Sequence, residues 1–186
     1  MRTSPPKSVV HRQDFGQQLL AELDALYRTA RYLTGDAHLA EDIVHDVIVK
    51  ALKARHKLRA GASLRPWLFA ILRNTVIDHY RQQGRKFRQI SLESLGEENE
   101  PTLSDGPIDI AILNQVLDEE IEKALAQLPE EMRLAILLAD VEGLSYKEIS
   151  QVLQWPAGTV MSRLHRGRQK LRKYLKKYAQ QLGYHS

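Results

Sequence analysis

The sequence predicts an all-α protein built as two small helical domains joined by a flexible acidic linker, and three observations carry that expectation. Apolar residues recur at three- and four-residue steps along most of the chain, the period of an amphipathic helix. Strand-like alternation is absent, and the β-branched residues are scattered. Between two periodic stretches lies an acidic segment with Gly96, Pro101, Gly106 and Pro107 and no sustained period, the composition of a linker. The expected layout is a flexible tail over 1–13, a first domain over 14–86, the linker over 87–107 and a second domain over 108–186. Such a tether leaves the two domains without a fixed spacing.

The elements follow in order. Leu19, Leu23, Leu26, Ala30 and Leu33 make the first stripe, and Thr34-Gly35-Asp36 ends it. Asp36 is placed to cap a second helix whose inward residues are Ala40, Ile43, Val44, Val47, Ala51 and Leu52. After a loop from Leu58 to Ser63, a third stripe runs through Trp67, Leu68, Ile71, Leu72, Val76 and Tyr80. Pro66 fits the first turn of that helix, where amides lack intrahelical partners anyway. Beyond the linker, Leu113, Leu117, Ile121, Ala124 and Leu128 resume the period. Pro129 then opens a helix with Glu130 and Glu131 well placed for its dipole. That helix buries Met132, Leu134, Ile136, Leu137 and Leu138 and stops at Gly143.

Ser145 and Glu148 stand at capping-box spacing, so a helix begins there. It carries Ile149, Val152 and Leu153 inward and breaks at Gln154-Trp155-Pro156. Another helix opens near Ala157 and is anchored by Val160, Leu164 and Leu171. Two helices across a tight turn, the second basic and amphipathic, is the sequence pattern of a helix-turn-helix.

Charge sharpens this reading. The chain has 186 residues and a net charge of +4, only mildly suggestive of a polyanionic partner. From Ile149 onward, however, there is no Asp or Glu, while Arg163, Arg166, Arg168, Lys170, Arg172, Lys173, Lys176 and Lys177 fall in that stretch. From Glu93 to Glu122 the opposite holds, with no Lys or Arg. A basic end joined to an acidic middle points to a nucleic-acid surface beside a segment of another kind. On the second helix of the motif, Thr159, Ser162, Arg163, Arg166 and Arg168 offer short and long donors suited to phosphates and base edges. His165 either contacts bases or packs.

Composition excludes other classes. A hydrophobic content of 43% rules out a wholly disordered chain. No apolar run nears the roughly 18 residues needed to cross a bilayer, so no membrane insertion is expected. Met1 to Asp14 is polar with two prolines, a tail rather than a signal peptide. Without cysteine there is no disulfide framework, thiol nucleophile or cysteine-based zinc site, and a cytoplasmic protein is expected. Neither a Gly-rich phosphate loop nor a nucleophile motif speaks for an enzyme. His38, Asp42 and His45 share a helix face and imitate a metal site, but a solvated face or a partner contact explains them more simply. A regulator with a ligand-binding or phosphoacceptor domain upstream is the competing class, and the amphipathic helices of the N-terminal half offer no such domain.

Several segments resemble the extracytoplasmic-function (group IV) sigma factors of the sigma-70 family. Leu128-Pro-Glu-Glu-Met-Arg133, Gly143-Leu-Ser-Tyr-Lys-Glu-Ile149 and Gly158-Thr-Val-Met-Ser-Arg-Leu-His-Arg-Gly-Arg168 resemble region 4. Ala40-Glu-Asp-Ile-Val-His-Asp46 resembles region 2.2, and Leu64-Arg-Pro-Trp-Leu-Phe-Ala-Ile-Leu-Arg-Asn-Thr75 resembles regions 2.3 and 2.4. Both halves occur in the family's order, with a short linker and no region 1.1 or region 3.

The resemblance implies a factor that binds core RNA polymerase and promoter DNA, needs no cofactor and catalyses no reaction. It implies that Glu41, Asp42, His45, Asp46, Val49 and Lys50 dock on the β′ clamp, and that the second domain meets the β flap. Ser63 in the loop, with Arg73, Asn74, Asp78, Arg81 and Arg85 on or after the third helix, would then serve the −10 element. Thr159, Ser162, Arg163, His165, Arg166 and Arg168 would serve the −35 element. Trp67 is expected to be a core residue rather than a stacking platform. Met161 stands where many members carry a basic residue, so the −35 sequence does not transfer from a relative. Control by an anti-sigma factor is implied as well.

Overall fold

The computed structural model describes residues 15–58, 61–82 and 118–181, and among them every regular element is helical. The segment expected as a linker lies outside the described residues, as do Arg85, Leu113 and Leu117.

A helical stretch over 15–21 turns at Glu22 into α1, Leu23–Thr34. Gly35 ends α1 at φ +70°, a left-handed cap whose N–H donates to the Arg31 carbonyl, and glycine takes that conformation without a Cβ clash. Asp36 starts α2, Ala37–Ala54, by accepting hydrogen bonds from the His38 and Leu39 amides at 2.9 and 3.2 Å. A 3-10 turn over Arg55–Lys57 leads through the loop to α3, Leu64–Gln82, with Pro66 in its first turn. Leu26, Leu33, Ile43, Leu68, Phe69 and Leu72 fill the space between these helices. Leu52, expected inside, is 42% exposed, because α2 has turned past its buried stripe by that point.

In the C-terminal half, α4 is Asp118–Ala126 and α5 is Glu130–Ile136. The helix expected to run unbroken to Gly143 widens instead into a π-turn over Leu137–Val141, closed by the Glu142 amide on the Leu137 carbonyl at 2.9 Å. Such turns insert a residue and redirect the side chains after it; here they re-aim Asp140 and Glu142. Gly143, at φ +66°, then reverses the chain. Ser145 and Glu148 close the expected capping box at the start of α6, Tyr146–Leu153. Gln154 makes the turn at φ +57°, and α7, Ala157–Gln181, follows.

The halves are in direct contact. Helix α3 lies along α6, and α1 meets α4 and α5. Their buried apolar side chains join one continuous cluster. The two expected helical domains are therefore seen packed side by side, and the linker between them lies outside the described residues.

Candidate nucleic-acid interface

Helix α7 presents its basic residues on two sides. Arg166 and His165 are half-buried, with the His165 ring 2.9 Å from the Gln169 amide nitrogen. Thr159 and Ser162 sit half-buried at its start, the Ser162 hydroxyl donating to the Thr159 carbonyl. Met161, Lys170, Arg172 and Lys173 are exposed. Together these form a solvent-facing basic strip that begins at the turn of the motif.

Arg168 and Arg163 are turned the other way. Arg168, 7% exposed, makes a two-pronged pair with Asp140 at 2.6 and 3.1 Å. The Asp140 hydrogen bonds hold its guanidinium above the ordinary arginine range in spite of burial. Arg163 is 2% exposed, lies 4.1 Å over the Trp155 ring and is 3.9 Å from Glu131. Desolvation pulls its pKa down, partly countered by Glu131. The expectation that both contact DNA is corrected by this geometry. Arg168 is an internal strut between α7 and the π-turn, and Arg163 is held inside by a carboxylate and an indole face.

The residues expected at the −10 element separate similarly. Ser63 and Asn74 are exposed, and Arg81 reaches solvent. Arg73 instead donates to Glu131 Oε1 at 2.9 Å, and Arg85 is not described. Asp78 is engaged by Lys50, whose ammonium also donates to the Thr75 hydroxyl at 3.1 Å. Trp67 packs edge-on to Phe15 with ring centroids 6.4 Å apart, as a core role requires. Its other side lines a cleft of about 410 Å³ that also includes Leu58, Ser63, Pro66, Glu148 and Gln151. The loop before α3 thus faces α6 of the other half.

On α2, Glu41, Asp42 and His45 are exposed while Val49 is half-buried. Asp46 lies 3.2 Å from His79 Nε2, and Lys50 braces α2 to α3. The face expected to meet a protein partner is thus most exposed at Glu41, Asp42 and His45, with the side chains of Asp46 and Lys50 also partly open to solvent. Among the described residues no group that includes His38, Asp42 and His45 is gathered to hold a metal ion.

Sequence reasoning missed the residues that join the halves. Glu142 has a fully buried side chain, accepts two hydrogen bonds from Arg28 at 3.0 and 3.1 Å and one from Thr29, and pairs with Arg65 at 2.7 Å. Arg65 also bonds the Glu142 carbonyl and Glu22. Arg31 pairs with Glu122 at 3.3 Å. Arg133 donates to the Leu125, Ala126 and Leu128 carbonyls and, across the seam, to that of Leu33 at 2.8 Å. It thereby satisfies the exposed carbonyl ends of α4 and α1 together, and desolvation lowers its pKa. No local signal marks the pairs that cross between the halves, since those partners stand 58 to 114 residues apart in the chain.

Comparison with known proteins agrees with this architecture. Residues 19–86 match the family model described as sigma-70 region 2, and residues 118–171 match sigma-70, region 4. The chain is 37% identical over 157 residues to the ECF RNA polymerase sigma factor SigE of Mycolicibacterium smegmatis; the match covers 84% of this chain but 59% of that longer protein. It is 34% identical to the RNA polymerase sigma-H factor of Pseudomonas aeruginosa, with 75% of each chain covered. Among solved structures, the sigma factor RpoE bound to the anti-sigma factor NepR from Bartonella quintana matches with a TM-score of 0.70 and 33% identity, over 88% of this chain and 98% of that one. CnrH in complex with the cytosolic domain of CnrY matches at 0.65 and 25% identity, over 89% and 90%.

Proposed function

The chain belongs to the extracytoplasmic-function group of the sigma-70 family, transcription initiation factors, and we propose that it joins core RNA polymerase in the cytoplasm and directs promoter recognition without catalysing a reaction. What carries this reading is region 2 and region 4 present in order on one chain, each with its own accessible face. In the first half, Glu41, Asp42 and His45 stand out from α2 as a surface for the β′ clamp, where complementary charge adds orientation more than affinity. In the second, the strip from Thr159 through Ser162, Met161, His165 and Arg166 enters the −35 groove, with the capped α6 setting its angle. Ser63, Asn74 and Arg81 contact the −10 element, joined by Arg73 once it leaves Glu131. The β flap meets the second half.

Control by an anti-sigma factor fits the same design, since the RpoE structure is a complex with the anti-sigma factor NepR and the CnrH structure a complex with the cytosolic domain of CnrY. This chain has no cysteine, so thiol-based sensing would reside in the partner. A one-to-one complex that excludes core polymerase is expected on co-purification from the native host.

In vitro transcription with core polymerase over a genomic DNA library tests the proposal. A stoichiometric complex that initiates at discrete promoters is expected; failure to bind core would overturn it. Asp42→Ala should weaken core binding by about 1–3 kcal/mol and leave groove contacts intact. Arg166→Ala should reduce use of −35-dependent promoters while core binding persists.

A further inference from the structure

Helix α7 meets solvent along one stripe. Gly158, Met161, Ser162, His165 and Gln169 recur there at three- and four-residue steps, opposite the buried Val160, Leu164, Gly167 and Leu171. The exposed residues of the first turn are the small Ala157 and Gly158, and a Cβ at Gly158 would meet nothing within 4 Å. Met161, 47% exposed, is therefore the first long side chain that an approaching surface meets on this stripe. Its polar neighbours are partly committed within the helix. The Ser162 hydroxyl donates to the Thr159 carbonyl at 3.2 Å, and the His165 ring lies 2.9 Å from the Gln169 amide nitrogen. Met161 has no donor and only a weakly accepting sulfur, so it puts an apolar tip at the front of a polar stripe.

We infer that Met161 is a specificity-determining residue that reads the C5 methyl group of a thymine in the major groove of the −35 element. Each base pair shows that groove a distinct edge, and the thymine methyl is the apolar feature among the donors and acceptors. A thioether is flexible and polarizable enough to close on a methyl group. It cannot form the bidentate contact by which an arginine reads guanine. Met161 also stands near the N-terminal end of the recognition helix, the part that reaches base edges in a helix-turn-helix. Arg172 and Lys173, exposed further along α7, are left to hold phosphates without regard to sequence. This inference rests on the reading of α7 as the helix that enters the −35 groove, and adds the base feature that the helix selects.

The test uses holoenzyme assembled from core polymerase and the full chain, on a promoter recovered from the genomic library. Each thymine of its −35 element, on either strand, is replaced singly by uracil, which pairs alike and lacks only the methyl group. At the thymine under Met161 the replacement should weaken holoenzyme binding about fourfold, the worth of one buried methyl group. Met161→Ala should bind the thymine and uracil forms of that promoter alike. Met161→Leu keeps an apolar side chain of similar size and should retain the preference for thymine. Met161→Arg should move the preference at the same base pair towards guanine. Because Met161 is exposed, these variants leave the core of the second half intact. Equal binding of every uracil-substituted promoter by the wild type overturns the inference, as does a uracil penalty that persists in Met161→Ala. Recovered −35 elements that share no thymine overturn it too. Holoenzyme that starts at discrete promoters without sensitivity to the methyl group leaves the functional reading standing. Holoenzyme that recognises no promoter overturns that reading, and the inference with it.

Discussion

Among the described residues, the buried polar side chains of the N-terminal half are Thr29 and Thr75, and those of the C-terminal half are Glu131, Arg133, Asp140, Glu142, Arg163 and Arg168. A hydroxyl satisfies itself cheaply, as Thr75 does by donating to the Ile71 carbonyl one turn back. A buried charge cannot, because its desolvation is offset only by a partner of opposite sign and good geometry. The C-terminal half supplies two such pairs internally, Asp140 for Arg168 and, at a longer 3.9 Å, Glu131 for Arg163. For Glu142 and part of Arg133 the partner lies across the seam. The first half therefore buries no charged side chain among the described residues, whereas the second depends on specific pairings, some of them outside itself.

The widest gap between the halves is expected at the shorter internal pair. Asp140→Ala leaves Arg168 buried without its carboxylate and should destabilise the C-terminal half by about 3–5 kcal/mol. Thr75→Val, at an equally buried polar position of the other half, should change stability by about 1 kcal/mol or less. The two tryptophans fall one in each half, so Trp155 fluorescence in a Trp67→Phe background follows the C-terminal half through urea unfolding, and Trp67 in a Trp155→Phe background follows the other. Adding Arg168→Met to Asp140→Ala should recover most of the loss. Equal losses for Asp140→Ala and Thr75→Val would break the comparison.

This contrast explains what was legible in the sequence. Apolar stripes, the Gly35 and Gly143 stops, the capping box and the helix-turn-helix were readable because each is local: the signal and the structure it dictates lie within one or two turns. The three helices of the first half follow almost entirely from such signals, with Leu52 the exception. Arg163 and Arg168 were placed on the DNA face because a run of basic residues looks alike whether its members face water or a buried carboxylate. Their partners, Glu131 and Asp140, sit 32 and 28 residues earlier by number, on a helix whose acidic start was accounted for by the dipole alone. The pairings of Asp46, Lys50 and Asp78 with a neighbouring helix escaped notice for the same reason, although each side chain stays nearly half exposed.

A smaller effect separates charge from shape within the C-terminal half. At Gly167 on α7 a Cβ would lie 2.8 Å from Ile136 Cδ1 and 2.9 Å from Met132 Cγ, so α7 and α5 touch through a missing side chain. Gly167→Ala gains about 1 kcal/mol of helix propensity but forces both neighbours to move, and overpacking of that kind costs about 1–3 kcal/mol. The net should be destabilising. At Gly158 on the same helix a Cβ meets nothing within 4 Å, so Gly158→Ala should stabilise slightly. Thermal melts of the two variants should shift in opposite directions; a shared direction would show that the α5–α7 contact is looser than an apolar core.

The smallest expected effect compares how each half starts a helix. Asp36 caps α2 through its carboxylate alone, while Ser145 and Glu148 cap α6 reciprocally. The Ser145 amide and hydroxyl donate to Glu148 Oε2 at 2.9 and 2.7 Å, and the Glu148 amide donates back to the Ser145 oxygen. Ser145→Ala removes the hydroxyl and should cost about 1 kcal/mol. The box also carries a pH signature. The Ser145 hydroxyl, then its backbone amide, holds the Glu148 carboxyl below its ordinary value of 4.5. A carboxyl depressed in the folded state contributes stability that is fully present above the unfolded value and is lost as pH falls through the folded one. Acid titration should therefore destabilise α6 below about pH 4.5 in the wild type, and that increment should shrink in Ser145→Ala, where the depressing hydroxyl is gone. Because α6 sets the angle of α7 and forms one wall of the cleft beside Trp67, loss of the cap should also appear as broadened Trp155 emission before global unfolding. If the acid limbs of the two proteins coincide, the capping box contributes geometry at this helix start but no charge-dependent stability.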